Sequence, residues 1–288
     1  MPDPAALAGL PPLREVIRRH GLAARKDLGQ HFLLDANLTD RIARAAREPG
    51  EADLSRGTVI EVGSGPGGLT RSLLRAGARV LAVEVDARAL DALAELGSLA
   101  GGRLVSVAAD ALELDLQSAA RGRGLPPPYR IVSNLPYNIG TPLLIRWLHD
   151  PADIERMVLM FQREVADRLT AQPGSKAYGR LSVLTRWLCE IVRLFDLPAA
   201  AFTPPPKVAS SVVSLRPRPA PLAPAGREAL ERVTAAAFGQ RRKMLRQSLK
   251  PLFAEPAAML ETLDIDPTAR GETLTVEQFC AIARSAAG

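Results

Sequence analysis

Cysteine is scarce in this chain: Cys189 and Cys280 are the only two in 288 residues, and neither sits in a CxxC pair or beside clustered histidines. A disulfide framework is excluded and no zinc pattern is present, which leaves both as small core residues. Long apolar runs are missing too. No stretch reaches the roughly 18 residues that cross a bilayer, and the opening MPDPAALAGLPPL has neither a basic start nor a continuous apolar core. No membrane partner and no secretory leader are expected, and a cytoplasmic, monomeric protein is. His20 and His149 have no partner pattern and read as surface or capping residues.

Acidic charge falls short of basic charge, giving a formal net charge of +6 and a pI of about 9.8. The basic residues are clustered. Arg14, Arg18, Arg19, Arg25 and Lys26 crowd one end, while Arg241, Arg242, Lys243, Arg246 and Lys250 form an acid-free decade near the other. Such runs are commonly solvated helix faces, but two of them in one basic chain also suit a polyanion, because each neutralised phosphate releases counterions.

Hydrophobic residues make up 47% of the chain, ordinary for a globular fold, and the length suits a domain of about 200 residues plus a small one. From Thr58 onward short β-branched runs alternate with amphipathic stretches. TVIEV (58–62), RVLAVEV (79–85), RLVSVAA (103–109), RIVS (130–133), RMVLMF (156–161), IVRLFDL (191–197) and SSVVSLRP (210–217) read as seven strands. LTRSLLRAG (69–77) and ALDALAEL (89–96) have helical spacing, with Gly77 and Gly97 as stops. The alternation predicts a doubly wound, Rossmann-like α/β domain over residues 1–218 with a mostly parallel sheet. RPRPAPLAPAG (216–226) reads as a linker, and REALERVTAAAF, RKMLRQSLKPLF, PAAMLETL and TVEQFCAIARSA predict a small helical domain over 219–288.

The first strand runs into EVGSGPGGLT, whose Gly63, Gly65, Gly67 and Gly68 satisfy both GxGxxG and GxGxG. Glycines there let the backbone approach a nucleotide, and an acid about 20 residues on, here Glu84, takes the ribose hydroxyls. A dinucleotide oxidoreductase fits this turn. Pro66 weighs against it, because a pyrophosphate wants N–H donors that proline lacks, whereas S-adenosylmethionine carries no phosphate. Asp110 follows the third strand and either joins the same crevice or caps a following helix. SNLPYNIGT ends the fourth strand. An exocyclic adenine amine is a poor nucleophile, so an enzyme alkylating it must hold it in line and accept from its hydrogens. The Asn134 side-chain oxygen and the Leu135 carbonyl, fixed by Pro136, supply such acceptors, and Tyr137 offers a flat face for an unstacked base. No metal is needed. An Asx-type turn with a packed tyrosine is the plainer alternative for NLPY. In AFTPPPKV the successive prolines either present Phe202 and Lys207 as fixed groups or merely connect two strands.

KDLGQHFLLD (26–35), EVGSGPGGLT (61–70), Glu84 in VEVD, Asp110 in AADA, NLPYNIGTPL (134–143), SKAYGRLSV (175–183) and AFTPPPKVASSVV (201–213) together resemble the bacterial small-subunit (16S) ribosomal RNA adenine N6,N6-dimethyltransferases. The resemblance spans nearly the whole chain. It implies a class I methyltransferase fold and donor contacts from His31, Leu33, Gly63, Glu84, Asp110 and Asn134. It also implies dimethylation of two adjacent adenosines in 16S rRNA within the small subunit or its precursor, with Phe202 near the flipped adenine. Arg241, Arg242 and Lys243 would contact RNA. The family commonly has asparagine where this chain has His31. Large-subunit RNA as target, or an assembly role that outweighs catalysis, are the neighbouring alternatives.

Overall fold

The computed structural model describes Leu7 and residues 9–25 and 29–286, so Lys26 and the first residues of KDLGQHFLLD lie outside the described residues. Nine strands follow in chain order: β1 (Phe32–Leu33), β2 (Thr58–Val62), β3 (Val80–Glu84), β4 (Leu104–Ala108), β5 (Tyr129–Asn134), β6 (Ile154–Gln162), β7 (Cys189–Leu197), β8 (Phe202–Thr203) and β9 (Ser210–Pro217). The seven runs expected to be strands form one sheet in the order β4-β3-β2-β5-β6-β9-β7, and β1 pairs with β8 apart from it. Pairing is parallel from β4 through β6 and antiparallel between β6 and β9.

Chain order reverses at the centre. After β2, β3 and β4 have built outward on one side, the chain returns so that β5 pairs on the other side of β2. Two strands leaving in opposite directions open a crevice beyond their carboxyl ends, where ligands of open α/β sheets bind. β2 and β3 are buried on both faces along their whole length, which is why their sequences are continuous rather than alternating. Leu73, Val80, Leu93, Val132, Val158 and Val212 contribute to the core on this sheet.

Helix Gly68–Arg75 stops as expected at Gly77, where φ is +91°. The Gly77 N–H donates to the Leu74 carbonyl at 3.1 Å and the Ala78 N–H to the Leu73 carbonyl at 3.0 Å, the paired bonds of a Schellman ending. Gly97 does not stop its helix, which runs from Ala87 to Leu99. A glycine with ordinary helical neighbours costs about 1 kcal/mol without ending a helix, and Gly101 takes the left-handed conformation instead.

The chain divides into two compact units, residues 1–163 with 192–216, and residues 164–191 with 217–288. Residues 164–191 thus belong with the C-terminal helices and not with the sheet domain, where the linear reading placed them. The reason lies in packing between distant segments: helix Arg180–Leu188 packs on Arg227–Gly239 and Val276–Ser285, and the buried Tyr178 ring meets Phe238, which meets Phe279. The proline-rich stretch is no free linker within this unit. Leu222 donates its N–H to the Trp187 carbonyl and Trp187 its indole N–H to the Ala223 carbonyl, both at 2.8 Å. RKMLRQSLKPLF yields only the single turn Leu245–Ser248, because Met244 is extended and Pro251 follows. Among the described residues no helix is long and apolar enough to cross a membrane.

Candidate active site

The turn after β2 is left-handed at alternate residues, with φ of +70° at Gly63, +52° at Gly65 and +85° at Gly67. Side chains are disfavoured there by conformation, and at Gly65 by a tight approach as well: a Cβ would sit 3.2 Å from the Phe32 ring, whereas one on Gly63 would make ordinary contact with Pro136 at 3.4 Å. The Gly65 N–H donates to Glu84 Oε2 at 2.8 Å, while Glu84 Oε1 accepts from the N–H groups of Val85 and Asp86 at 2.8 and 2.9 Å. Glu84 therefore sets the glycine turn and the start of the next loop in one arrangement. A carboxylate offers about four lone-pair sites and three are taken, so acceptor capacity remains at the crevice.

Asp110 begins a turn beyond β4. Its Oδ1 accepts from the Leu112 N–H at 2.8 Å, so it caps a turn and no helix; the next helix, Leu116–Arg121, is capped by Asp115. Its second oxygen is left for the crevice.

Asn134 closes β5, and its amide is oriented by chemistry. Nδ2 donates to the His31 carbonyl at 2.9 Å. A carbonyl only accepts, so the NH₂ end must face it and Oδ1 must point the other way, where it has no partner among the described residues. No hydrogen bond from the described residues reaches the Leu135 carbonyl either. The Ser133 hydroxyl donates to the Val62 carbonyl, tying the end of β5 to the end of β2.

His31 does more through its main chain than through its ring. Its Nδ1–H donates to the Pro204 carbonyl at 2.8 Å, and the ring stacks on Tyr137 at 5.4 Å between centroids. The Tyr137 hydroxyl is held by the Ser210 hydroxyl at 2.5 Å. Burial raises the Tyr137 pKa, so the phenol stays neutral.

One cavity of about 270 Å³ takes wall residues from all of these elements, bringing together His31, Leu33, Gly63, Glu84, Asp110, Asn134, Leu135, Pro136 and Tyr137. Its described wall carries three carboxyl groups, Glu61, Glu84 and Asp110, and no lysine or arginine. Such a wall suits a cationic, phosphate-free nucleoside and opposes a pyrophosphate, which removes the ground for a dinucleotide. Glu61 was not singled out by sequence reasoning, although an acid inside an otherwise apolar strand is a signal. Burial, with the nearby Glu84 charge adding to it, pushes the Glu61 carboxyl up to about 8 against hydrogen bonds from Thr70 and Ser64. Val85, 58% exposed on the same wall, was missed as well; a bare apolar residue just after the acid is the cue.

Two expected substrate residues, Phe202 and Arg241, are placed differently. Phe202 is 2% exposed and packs in the sheet domain's core, because β8 pairs with β1 and turns the ring inward, so it presents no face to a base. Arg241 is committed within its own unit, to Glu272 at 2.7 Å and to the Lys176 carbonyl at 2.8 Å. Lys207 is exposed but lies outside the cavity wall. Arg242 and Lys243 are exposed in the helical unit.

The family described as Ribosomal RNA adenine dimethylase matches residues 21–287. The chain is 58% identical over 292 residues to Ribosomal RNA small subunit methyltransferase A of Rhodospirillum rubrum, a match covering 99% of this chain and 98% of that one. It is 59% identical over 280 residues to the protein of the same name from Paramagnetospirillum magneticum, covering 97% and 96%. Among solved structures it is similar to the 23S rRNA methyltransferase ErmE, with a TM-score of 0.66, 28% identity and coverage of 89% and 100%. A dimethyladenosine transferase from Plasmodium falciparum shares the fold at a TM-score of 0.73, with 24% identity and coverage of 88% and 96%. With a family match over nearly its whole length and relatives this similar from end to end, the chain belongs to the ribosomal RNA adenine dimethylase family.

Proposed function

We propose that the protein transfers methyl groups from S-adenosylmethionine to N6 of two adjacent adenosines near the 3′ end of 16S rRNA, giving N6,N6-dimethyladenosine during small-subunit biogenesis. The observation that carries the chemistry is the Asn134 amide, held by the His31 carbonyl so that Oδ1 is a free acceptor on the cavity wall. Relatives at 55 to 59% identity named for the small subunit, against 28% for the large-subunit enzyme, favour the small-subunit target.

The cavity fits the donor: its glycine turn holds a left-handed backbone that side chains rarely adopt, its wall carries no described lysine or arginine, and Glu84 and Asp110 each keep acceptor capacity. Glu84 would hold the ribose hydroxyls, with His31, Leu33, Gly63 and Asp110 completing the donor site. Bound there, S-adenosylmethionine supplies an electrophilic methyl group on a sulfonium. Asn134 Oδ1 and the Leu135 carbonyl accept from the adenine NH₂, drawing the nitrogen toward sp³ geometry and aiming its lone pair. Pro136 removes a competing N–H and stiffens this acceptor pair. Tyr137, pinned by Ser210 and backed by the His31 ring, gives the extracted base a face on which to rest. A methylated ammonium is acidic and sheds its proton to solvent, so no strong base is required. Lys207, Arg242 and Lys243 would meet RNA phosphates, and the enzyme would act as a cytoplasmic monomer.

Labelled donor incubated with undermethylated small subunits, large subunits and free RNA tests the reading. Label recovered as N6,N6-dimethyladenosine only from small subunits is the expected result; label on large subunits, on cytosine or nowhere would overturn it.

A further inference from the structure

The sheet domain holds a second cavity, of about 610 Å³, that adjoins the first: Leu13, Leu33 and Gly68 line both. Thr203 lies on its wall, one residue before the Pro204 carbonyl that His31 holds, so the groove leads away from the rim where the target base would enter. Its charged wall residues are Arg14, Asp35, Arg71 and Arg75. Asp35 caps the following helix, accepting from the Asn37 N–H at 2.8 Å, and Arg75 is paired with Asp40 at 2.8 Å. Arg71 is different. Half-buried, it donates from Nη1 to the Pro11 carbonyl at 2.7 Å, its buried Nε has no partner, and no carboxylate among the described residues pairs with it.

A cation so placed is partly desolvated with no counter-charge among the described residues, and its neighbours make matters worse: burial first, then the charges of Arg75 and Arg19, lower its pKa. Tethering one carbonyl uses one of five guanidinium donors and needs no charge, so that role alone leaves the choice of arginine unexplained. Asp35, the carboxylate among the described wall residues, caps its helix and makes no pair with Arg71, so no described anion meets the planar fork.

We propose that Arg71, with Arg14 on the same groove, forms a subsite for a phosphodiester of the RNA strand next to the nucleotide being methylated. The inference rests on the proposed RNA substrate and adds a binding site to it. Phosphate oxygens there would satisfy the remaining Arg71 donors, and Arg14, exposed on the wall, would add a second contact.

The test compares wild type, Arg71→Gln, Arg71→Lys and Arg14→Ala for affinity to undermethylated small subunits across a salt series, alongside donor affinity and thermal melting. Arg71→Gln should bind about tenfold more weakly at low salt and reduce the slope of log affinity against log salt by about 1, with donor affinity and melting unchanged. Arg71→Lys should recover most of the slope, and Arg14→Ala should lose part of it. An unchanged salt slope in both Arg71→Gln and Arg14→Ala overturns the subsite, as does weakened donor binding in Arg71→Gln, which would assign the cation to the donor's carboxylate. Equal losses in Arg71→Gln and Arg71→Lys together with lower melting temperatures would reduce Arg71 to a tether for Pro11. A wild type that methylates normally in these cases leaves the functional reading intact, whereas a wild type that neither binds nor methylates small subunits overturns both.

Discussion

The two ends of the central sheet carry similar numbers of acids and treat them in opposite ways. At the amino end, Arg130 is 1% exposed and joins Glu51 at 2.6 Å and Glu155 at 2.9 Å, while Arg56 bridges the same two acids. Beside them Glu48 takes Arg156 at 2.7 Å and also Arg216. At the carboxyl end, Glu61, Glu84 and Asp110 share one cavity wall with no described cation on it. At the amino end the acids are answered by arginines that hold the strands together; at the other end burial keeps Glu61 largely protonated at neutral pH, and Glu84 and Asp110 face the cavity with no described cation on its wall. The same sheet therefore keeps its arginine-paired acids at one end of the strands and its cavity-facing acids at the other.

The largest expected effect comes from breaking the saturated end. Arg130→Ala removes the buried arm of this network and leaves Glu51 and Glu155 to Arg56 alone, which should cost about 2–4 kcal/mol, read as a lower denaturation midpoint, with methyl transfer per folded molecule unchanged. Next in size is a difference in the sign of the pH response. Burial opposes it, but hydrogen bonds from the Glu48 N–H, Arg56 and Arg130 hold Glu51 down to about 2 from 4.5. Its contribution to stability is present above 4.5 and lost as pH falls through about 2. Glu61 runs the other way. Ionising near 4.5 when unfolded and near 8 when folded, it contributes fully below 4.5 and loses that contribution as pH rises through 8. Denaturation midpoints for Glu61→Gln should lie flatter than wild type between pH 4.5 and 8 and leave the acid limb alone; parallel curves would mean that Glu61 ionises freely in the folded state.

The smallest effect is expected at His31. Asn134 takes a main-chain carbonyl from that residue, which no substitution removes, so His31→Asn should change the methyl-transfer rate by less than about threefold. A far larger loss would show that the imidazole itself acts.

What could be read in advance follows from the range of the interactions. The seven sheet strands are short, β-branched and bounded by turns, and each is a local pattern. That the glycine turn, Glu84 and NLPY meet at one crevice was equally legible, because each stands at the carboxyl end of a neighbouring strand. Phe202 was misplaced because its burial depends on β8 meeting β1, some 170 residues back in the chain, where a pair of residues carries no periodicity. Arg241 looked free because Glu272, its partner, lies on a different turn of the helical unit. Residues 164–191 were assigned to the wrong unit for the same reason: an amphipathic helix shows that it has a partner without showing which. Glu61 was in plain view within EVGSGPGGLT, yet the depth of burial that raises its carboxyl is set by packing the sequence does not display.

Single-turnover methyl transfer to undermethylated small subunits by Asn134→Ala, measured beside its binding to the same particles, tests the central claim most directly. Removing the held acceptor should slow transfer by about 10²–10³-fold while particle binding persists. Transfer at the wild-type rate would contradict the account, because the amine would then be activated by something other than the oxygen that the His31 carbonyl keeps in place.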